Sequence, residues 1–128
     1  MELEMEQHIY AGLRGKTALV TGAGSGIGAA LAKRFGSLGV RAICVGRTKK
    51  TIEDVASSIE RSGGEAIHLV ADATNPVDME KLSKEIEKIY KGIDFAFLNA
   101  GGNIQQQTIE NSELSKWKEA VDLNMMTF

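Results

Sequence analysis

Four glycines in seven residues stand in the stretch Thr21-Gly22-Ala23-Gly24-Ser25-Gly26-Ile27-Gly28, directly after the apolar run Thr17-Ala18-Leu19-Val20 and before a helical pattern. Glycines at a strand-to-helix turn let the backbone bend tightly and let a pyrophosphate approach main-chain N–H groups, and the helix N-terminus adds partial positive charge. The stretch therefore reads as the phosphate cradle of a dinucleotide, with Gly22, Gly24, Ser25, Gly26, Ile27 and Gly28 as contacts. The spacing Gly22-x-x-x-Gly26-x-Gly28 is looser at the front than the common G-x-G-x-x-G fingerprint.

A second group of residues bears on which dinucleotide. An NAD site usually places a carboxylate about 20 residues beyond the glycine turn, where it accepts hydrogen bonds from the ribose 2′-OH. Here Gly46 stands in that place and Arg47 follows it. A guanidinium can clamp a phosphate through two charge-assisted bonds. Arg47, with Thr48 beside it, is thus expected to face the adenosine 2′-phosphate of NADP(H). Lys49 and Lys50 fall in the first turn of the next helix, where each cation opposes the macrodipole and a nearby phosphate would offset the repulsion.

The elements that must position these residues are legible as an alternation of apolar runs with helical periodicity, which argues a parallel sheet with crossover helices. Strand one is Thr17 to Thr21, and the following helix carries Ile27, Leu31, Phe35 and Leu38 along one face before Gly39 stops it. Strand two runs from Arg41 to Gly46. The next helix takes Thr48 as N-cap, places Ile52, Val55, Ala56 and Ile59 at i, i+3, i+4 and i+7, and ends at Gly63-Gly64. Strand three is Ala66 to Val70. Asn75 caps a third helix with Pro76 at its first position and Met79, Leu82, Ile86 and Ile89 as its buried stripe. Strand four is Ile93 to Asn99, and a last helix from Ser112 shows Leu114, Trp117, Val121 and Phe128 along one side. With right-handed crossovers the strand order is 3-2-1-4, a Rossmann-type doubly wound α/β sheet whose carboxyl-terminal half is absent. The chain reverses direction between strands one and four, and ligands bind at such a point. The loops there are Gly22 to Gly28 and Ala100-Gly101-Gly102, both of small residues.

Composition bounds the rest. The chain has 128 residues and a net charge of −2, with no basic block to recommend a nucleic-acid partner. Residues 1–14 form an amino-terminal extension and 15–128 a partial dinucleotide-binding domain, with no repeat or second domain. The single cysteine, Cys44, lies in the run Ala42-Ile43-Cys44-Val45 as core filler, which excludes an internal disulfide and suits a reducing compartment, so the cytosol is the expected location. No apolar run approaches the length of a membrane span, and Met1 to Gln7 is acidic, unlike a signal or transit peptide. No cluster has metal-ligand spacing. His68 on the edge strand is expected to face solvent, Glu80 to Lys88 a solvated helix face, and Met125-Met126 either core or a partner-facing surface.

Together these residues resemble the short-chain dehydrogenase/reductases. Thr21-Gly22-x-x-x-Gly26-Ile27-Gly28 is similar to that family's cofactor signature, and Leu98-Asn99-Ala100-Gly101 to its second, after strand four. Ala71-Asp72-Ala73-Thr74 resembles the adenine-contacting stretch, and Val121-Asp122-Leu123-Asn124 the helix that carries an active-site asparagine. The resemblance implies an NADP(H)-linked oxidoreductase that interconverts a small-molecule carbonyl and an alcohol, or reduces an enone. It implies that Asp72 reaches the adenine amino group, and that Ala73, Asn99, Ala100 and Gly101 line the adenosine and ribose. It also implies a homo-oligomer, since the last helix commonly packs against another subunit in the family.

Asn124 lies seven residues after Trp117 and so shares the helix's apolar face, which would bury an amide that costs about 1–3 kcal/mol if unpaired. Its partner is either neighbouring backbone or, as the resemblance implies, a water in the family's proton relay from a catalytic lysine. The family's general acid is a tyrosine four residues before a lysine, with a serine upstream, and this chain contains no Tyr-x-x-x-Lys. Tyr10 and Tyr90 both precede strands and belong at the amino edge of the sheet, away from the crevice. The chain is thus expected to carry the cofactor-binding half only and to be inactive alone. Two other classes stay open: a nucleotide-binding sensor or interaction protein without catalysis, and a sugar-nucleotide epimerase or dehydratase. The usual Gly-x-x-Gly-x-x-Gly turn of the latter is not supplied by glycines 22, 26 and 28.

Overall fold

The computed structural model describes residues 2–101 and 108–125. Strands β1 (Thr17–Thr21), β2 (Arg41–Gly46), β3 (Ala66–Val70) and β4 (Phe95–Phe97) form one parallel sheet in the order β3-β2-β1-β4, the order expected from the sequence. Helices α1 (Glu2–Ile9), α2 (Gly26–Ser37), α3 (Lys49–Arg61), α4 (Pro76–Tyr90) and α5 (Leu114–Met125) complete the described elements. Gly102, Met126 and Phe128 lie outside the described residues.

Successive residues of a strand point to opposite faces, and here both faces are covered, which is why the central strands read as continuous apolar runs. On one face Val20, Ala42, Cys44 and Ala66 pack against Ala32 of α2 and Ile52, Val55, Ala56 and Ile59 of α3. On the other, Leu19, Ile43 and Val45 pack against Leu82 and Ile86 of α4. Cys44 is fully buried, and that burial pushes its thiol up to about 11. Asn75 caps α4 as its position implies: its Oδ1 accepts from Val77 N at 2.9 Å and Asp78 N at 3.3 Å, with Pro76 next in line.

Helix α2 lies on a different face from the one its large residues suggest. Ile27 is 77% exposed, Leu31 and Phe35 are half-buried, and Gly28, Ala32 and Gly36 are the buried residues. The helix approaches so closely that only small residues fit beneath it, and the bulky side chains are displaced to its flanks. In α4, Ile89 is likewise exposed, and Tyr90 half-buries in its stead. His68 is half-buried rather than solvent-facing, because it stands on the same sheet face as Ala66 and Cys44, the face α3 covers. The extension before β1 is helical, and Tyr10 at its end receives the Arg34 guanidinium 5.7 Å above its ring.

Strand β4 is shorter than the run Ile93 to Asn99. Asp94 closes its entry, with its carboxylate accepting from Thr17 N at 2.9 Å and its own N–H donating to Thr17 O at 2.9 Å. At the exit Asn99 N turns back to Phe97 O at 3.0 Å. Among the described residues β4 pairs with β1 alone, and Phe97 and Leu98 are 37% and 56% exposed. Helix α5 buries none of its residues: Leu114, Trp117 and Val121, expected as an apolar face in the core, are all exposed. Trp117 instead donates its Nε1–H to Ser112 Oγ at 2.7 Å. An unpaired strand edge with apolar neighbours templates association. Residues 1–128 are expected to self-associate, and Leu98→Lys to reduce it in sedimentation velocity; a wild-type chain that stays monomeric would contradict this.

Candidate functional site

The carboxyl ends of β1, β2, β3 and β4 open into one cavity of about 420 Å³, a size ordinary for small-molecule sites. Of the residues singled out by the sequence, Gly22, Gly24, Ser25, Ile27, Arg47, Thr48, Asp72, Ala73, Asn99, Ala100 and Gly101 line it. Gly26 and Gly28 do not line it, Gly26 being exposed and Gly28 buried. Gly26 opens α2 at a φ of 55°, a left-handed conformation that disfavours other residues. Gly28 is buried, and a Cβ there would overlap the Gly22 carbonyl oxygen and lie 2.7 Å from Asn99 Nδ2.

Two loops that are distant in sequence are tied together at this point by Thr21, which sequence reasoning passed over as an ordinary strand residue. Its Oγ1 accepts from Ala100 N at 3.0 Å and donates to Phe97 O at 3.4 Å, and Asn99 Nδ2 donates to Gly22 O at 3.5 Å. The glycine turn is tied to β2 as well, by Ala23 N donating to Val45 O at 3.1 Å.

Charge is distributed unevenly around the cavity. The N-cap residues of α2 and α3, Ser25 and Thr48, make no side-chain capping bond, and neither helix has an acid in its first turn. Their first N–H groups are left to other acceptors, with the macrodipole's positive end toward the cavity. Helix α4 is different, because Asn75 caps it and Asp78 sits in its first turn. Arg47 is exposed on the cavity wall, whereas Lys49 and Lys50 do not line it. Lys50 reaches along its own helix to Asp54 Oδ1 at 3.0 Å, a contact that raises its pKa. Thr51, which the sequence gave no reason to single out, lines the cavity and donates its hydroxyl to Thr48 O at 3.0 Å.

Asp72 presents the cavity's carboxylate. The Thr74 hydroxyl and the Thr74 N–H, both on Asp72 Oδ1, hold its carboxyl below the ordinary value of 3.8; burial opposes them, and the charge of Arg47 makes the smallest contribution, also downward. Asn124 was expected to be buried and is exposed, because α5 presents that face outward. Its Nδ2 donates to Ala120 O at 2.8 Å, and a Cβ on Gly101 would lie 2.6 Å from its Oδ1, so the amide packs against the loop after β4. Both tyrosines stand apart from the cavity. Tyr90 lies at the amino edge, with the Arg41 guanidinium 4.8 Å above its ring and its hydroxyl donating to Glu65 Oε1 at 3.4 Å.

The short chain dehydrogenase model matches residues 16–128. The chain belongs to the short-chain dehydrogenase family. A fatty acyl-CoA reductase of Acinetobacter baylyi is 36% identical over 111 residues, which are 87% of this chain and 38% of that protein. The crystal structure of a short-chain type dehydrogenase/reductase from Mycobacterium marinum superposes with a TM-score of 0.84 at 30% identity, over 90% of this chain and 46% of that one. A metagenomic short-chain oxidoreductase solved in complex with NADP gives a TM-score of 0.79 at 28% identity, over 88% and 51%. The chain spans about half the length, or less, of these relatives.

The role of Thr21 is open to direct measurement. Thr21→Val keeps the shape but removes the acceptor for a part-buried N–H, which costs about 1–3 kcal/mol. The variant should lose stability in urea denaturation, and the Ala100 amide should exchange faster with solvent, while Thr21→Ser keeps that amide protected. Unchanged exchange in Thr21→Val would refute the tie.

Proposed function

We propose that residues 15–128 form the dinucleotide-binding unit of an NADP(H)-dependent oxidoreductase that moves a hydride between the cofactor and a carbonyl or alcohol, or onto an enone, with residues 1–14 an extension. The residues present fit such a cofactor. The cradle at Gly22 to Gly28 alternates glycines with other residues so that the main chain can be approached at every second position, two uncapped helix N-termini face the cavity, and a single carboxylate is held at its far side. Bound there, the nicotinamide dinucleotide would supply the hydride. The chain's own part is to hold it: Gly22, Gly24, Ser25, Gly26, Ile27 and Gly28 around the pyrophosphate, Arg47 and Thr48 on the 2′-phosphate, and Asp72 and Ala73 at the adenine. Asn99, Ala100 and Gly101 would shape the ribose pocket, and Asn124 behind Gly101 would support the proton relay. The relative named as a fatty acyl-CoA reductase supports reduction at a carbonyl carbon, and the NADP complex supports the cofactor.

One observation carries the choice of NADP(H). Position 46, where an NAD-type acid would stand, cannot take a side chain without displacing the core, because a Cβ on Gly46 would lie 2.8 Å from Cγ2 of the fully buried Ile52. The next residue, Arg47, is on the cavity wall beside the open N-terminus of α3. A dianionic 2′-phosphate there would meet a guanidinium and a positive dipole end, where a ribose hydroxyl would meet no carboxylate at position 46. Calorimetric titration should therefore show tighter binding of NADP(H) than of NAD(H). Arg47→Ala should weaken NADP(H) by about 10- to 100-fold while moving NAD(H) by less than about threefold, the range expected for losing a charged hydrogen-bond pair. NAD(H) binding at least as tightly as NADP(H), or a preference that survives removal of Arg47, would overturn the assignment.

A further inference from the structure

Asp72 is held in place on several sides. Its Oδ1 accepts from Thr74 Oγ1 at 2.7 Å and from Thr74 N at 2.9 Å, its N–H donates to Asp78 Oδ2 at 2.9 Å, and its carbonyl accepts from Asn75 N at 2.9 Å. Asp78 lies in the first turn of α4 and Asn75 caps that helix, so the whole turn hangs from a rigid element. One carboxylate oxygen is thus fully engaged. The other, Oδ2, has no hydrogen-bond partner among the described residues, and Asp72 and Thr74 both line the cavity.

An ionised carboxylate only accepts hydrogen bonds. A 6-amino purine presents an N6–H donor beside an N1 acceptor, whereas a 6-oxo purine presents an O6 acceptor beside an N1–H donor. A carboxylate free to turn can follow the donor from one site to the other, and one that is pinned cannot. Resting on the dinucleotide reading above, we infer that Thr74 sets the base preference of the crevice. By occupying Oδ1 of Asp72 it leaves Oδ2 as a fixed acceptor that takes a 6-amino purine and turns away a 6-oxo purine. Thr74 is a positioning residue, since it acts through Asp72.

The test is calorimetric binding of NADP⁺ and of its deaminated, hypoxanthine-containing analogue to the 128-residue chain. The wild type should prefer the adenine form by about tenfold, and Thr74→Val should reduce that to less than about threefold, with Thr74→Ser restoring it. Asp72→Asn gives a sharper outcome. Both Thr74 donors select the amide oxygen for the Oδ1 position and turn Nδ2–H₂ toward the base, so the preference should invert toward hypoxanthine, and adding Thr74→Val, which removes the hydroxyl and keeps the main-chain N–H, should weaken the inversion. Circular dichroism checks that each variant is folded, and Asp72→Asn carries the test if Thr74→Val is not. A selective wild type whose preference survives Thr74→Val, or Asp72→Asn that still favours adenine, overturns the role of Thr74 and leaves the dinucleotide reading standing. A wild type that binds both analogues equally does the same. A wild type that binds neither overturns both.

Discussion

Helix α2 meets the turn after β1 where two main chains have no side chain between them. Gly28 rests against the Gly22 carbonyl so closely that a single added carbon would collide with it, and the other features of the crevice follow from that contact. It draws the N-terminus of α2 over the carboxyl end of the sheet and bends the intervening turn. It also leaves the Gly22 carbonyl within reach of Asn99 Nδ2. With Thr21 accepting from Ala100, the first and last strands of the sheet close on each other at the height where a ligand would lie. The contact also sets which helical face is buried, because a helix at that depth buries its small residues Gly28, Ala32 and Gly36 while Leu31 and Phe35 pack from the flanks.

The electrostatics of the crevice grade from one side to the other. The helices that follow β1 and β2 arrive without a side-chain cap and without an early acid, and Arg47 stands between them. The helix that follows β3 arrives with its first donors already taken by Asn75 and with Asp78 beside them. Phosphates are thus favoured on one flank and an uncharged hydrogen-bond donor on the other, which matches the polarity of a molecule with phosphates at one end and a base at the other.

Much of this was legible in the residues. The strand order, the turn at Gly22 to Gly28, the stripe Ile52-Val55-Ala56-Ile59 and the Asn75 cap all stand where spacing and residue type put them. The misjudged faces share a cause. Periodicity weighs bulk, and α2 is packed by proximity, so Ile27 was placed inside where Gly28 belongs. Helix α5 shows the opposite failure: Leu114, Trp117 and Val121 have the right period, but among the described residues no layer covers them. The threonines at 21, 51 and 74 were missed because a hydroxyl's partner is set by tertiary geometry. The exception is Thr74, whose spacing of two from Asp72 is a common turn in which an aspartate accepts from a residue just ahead.

Gly46 and Ile52 belong to two different parts of the molecule, one the rim of the crevice and the other the centre of the core, yet they compete for the same few cubic ångströms. Ligand preference and folding stability are therefore not independent traits in this chain. Placing an acid at the rim would first require a smaller residue at the core, and the intermediate with only one of the two changes would be either crowded or hollow. A lineage or a designer placing an acid at position 46 would have to cross a sequence that folds poorly, so the proposed preference for NADP(H) is guarded by packing as well as by charge.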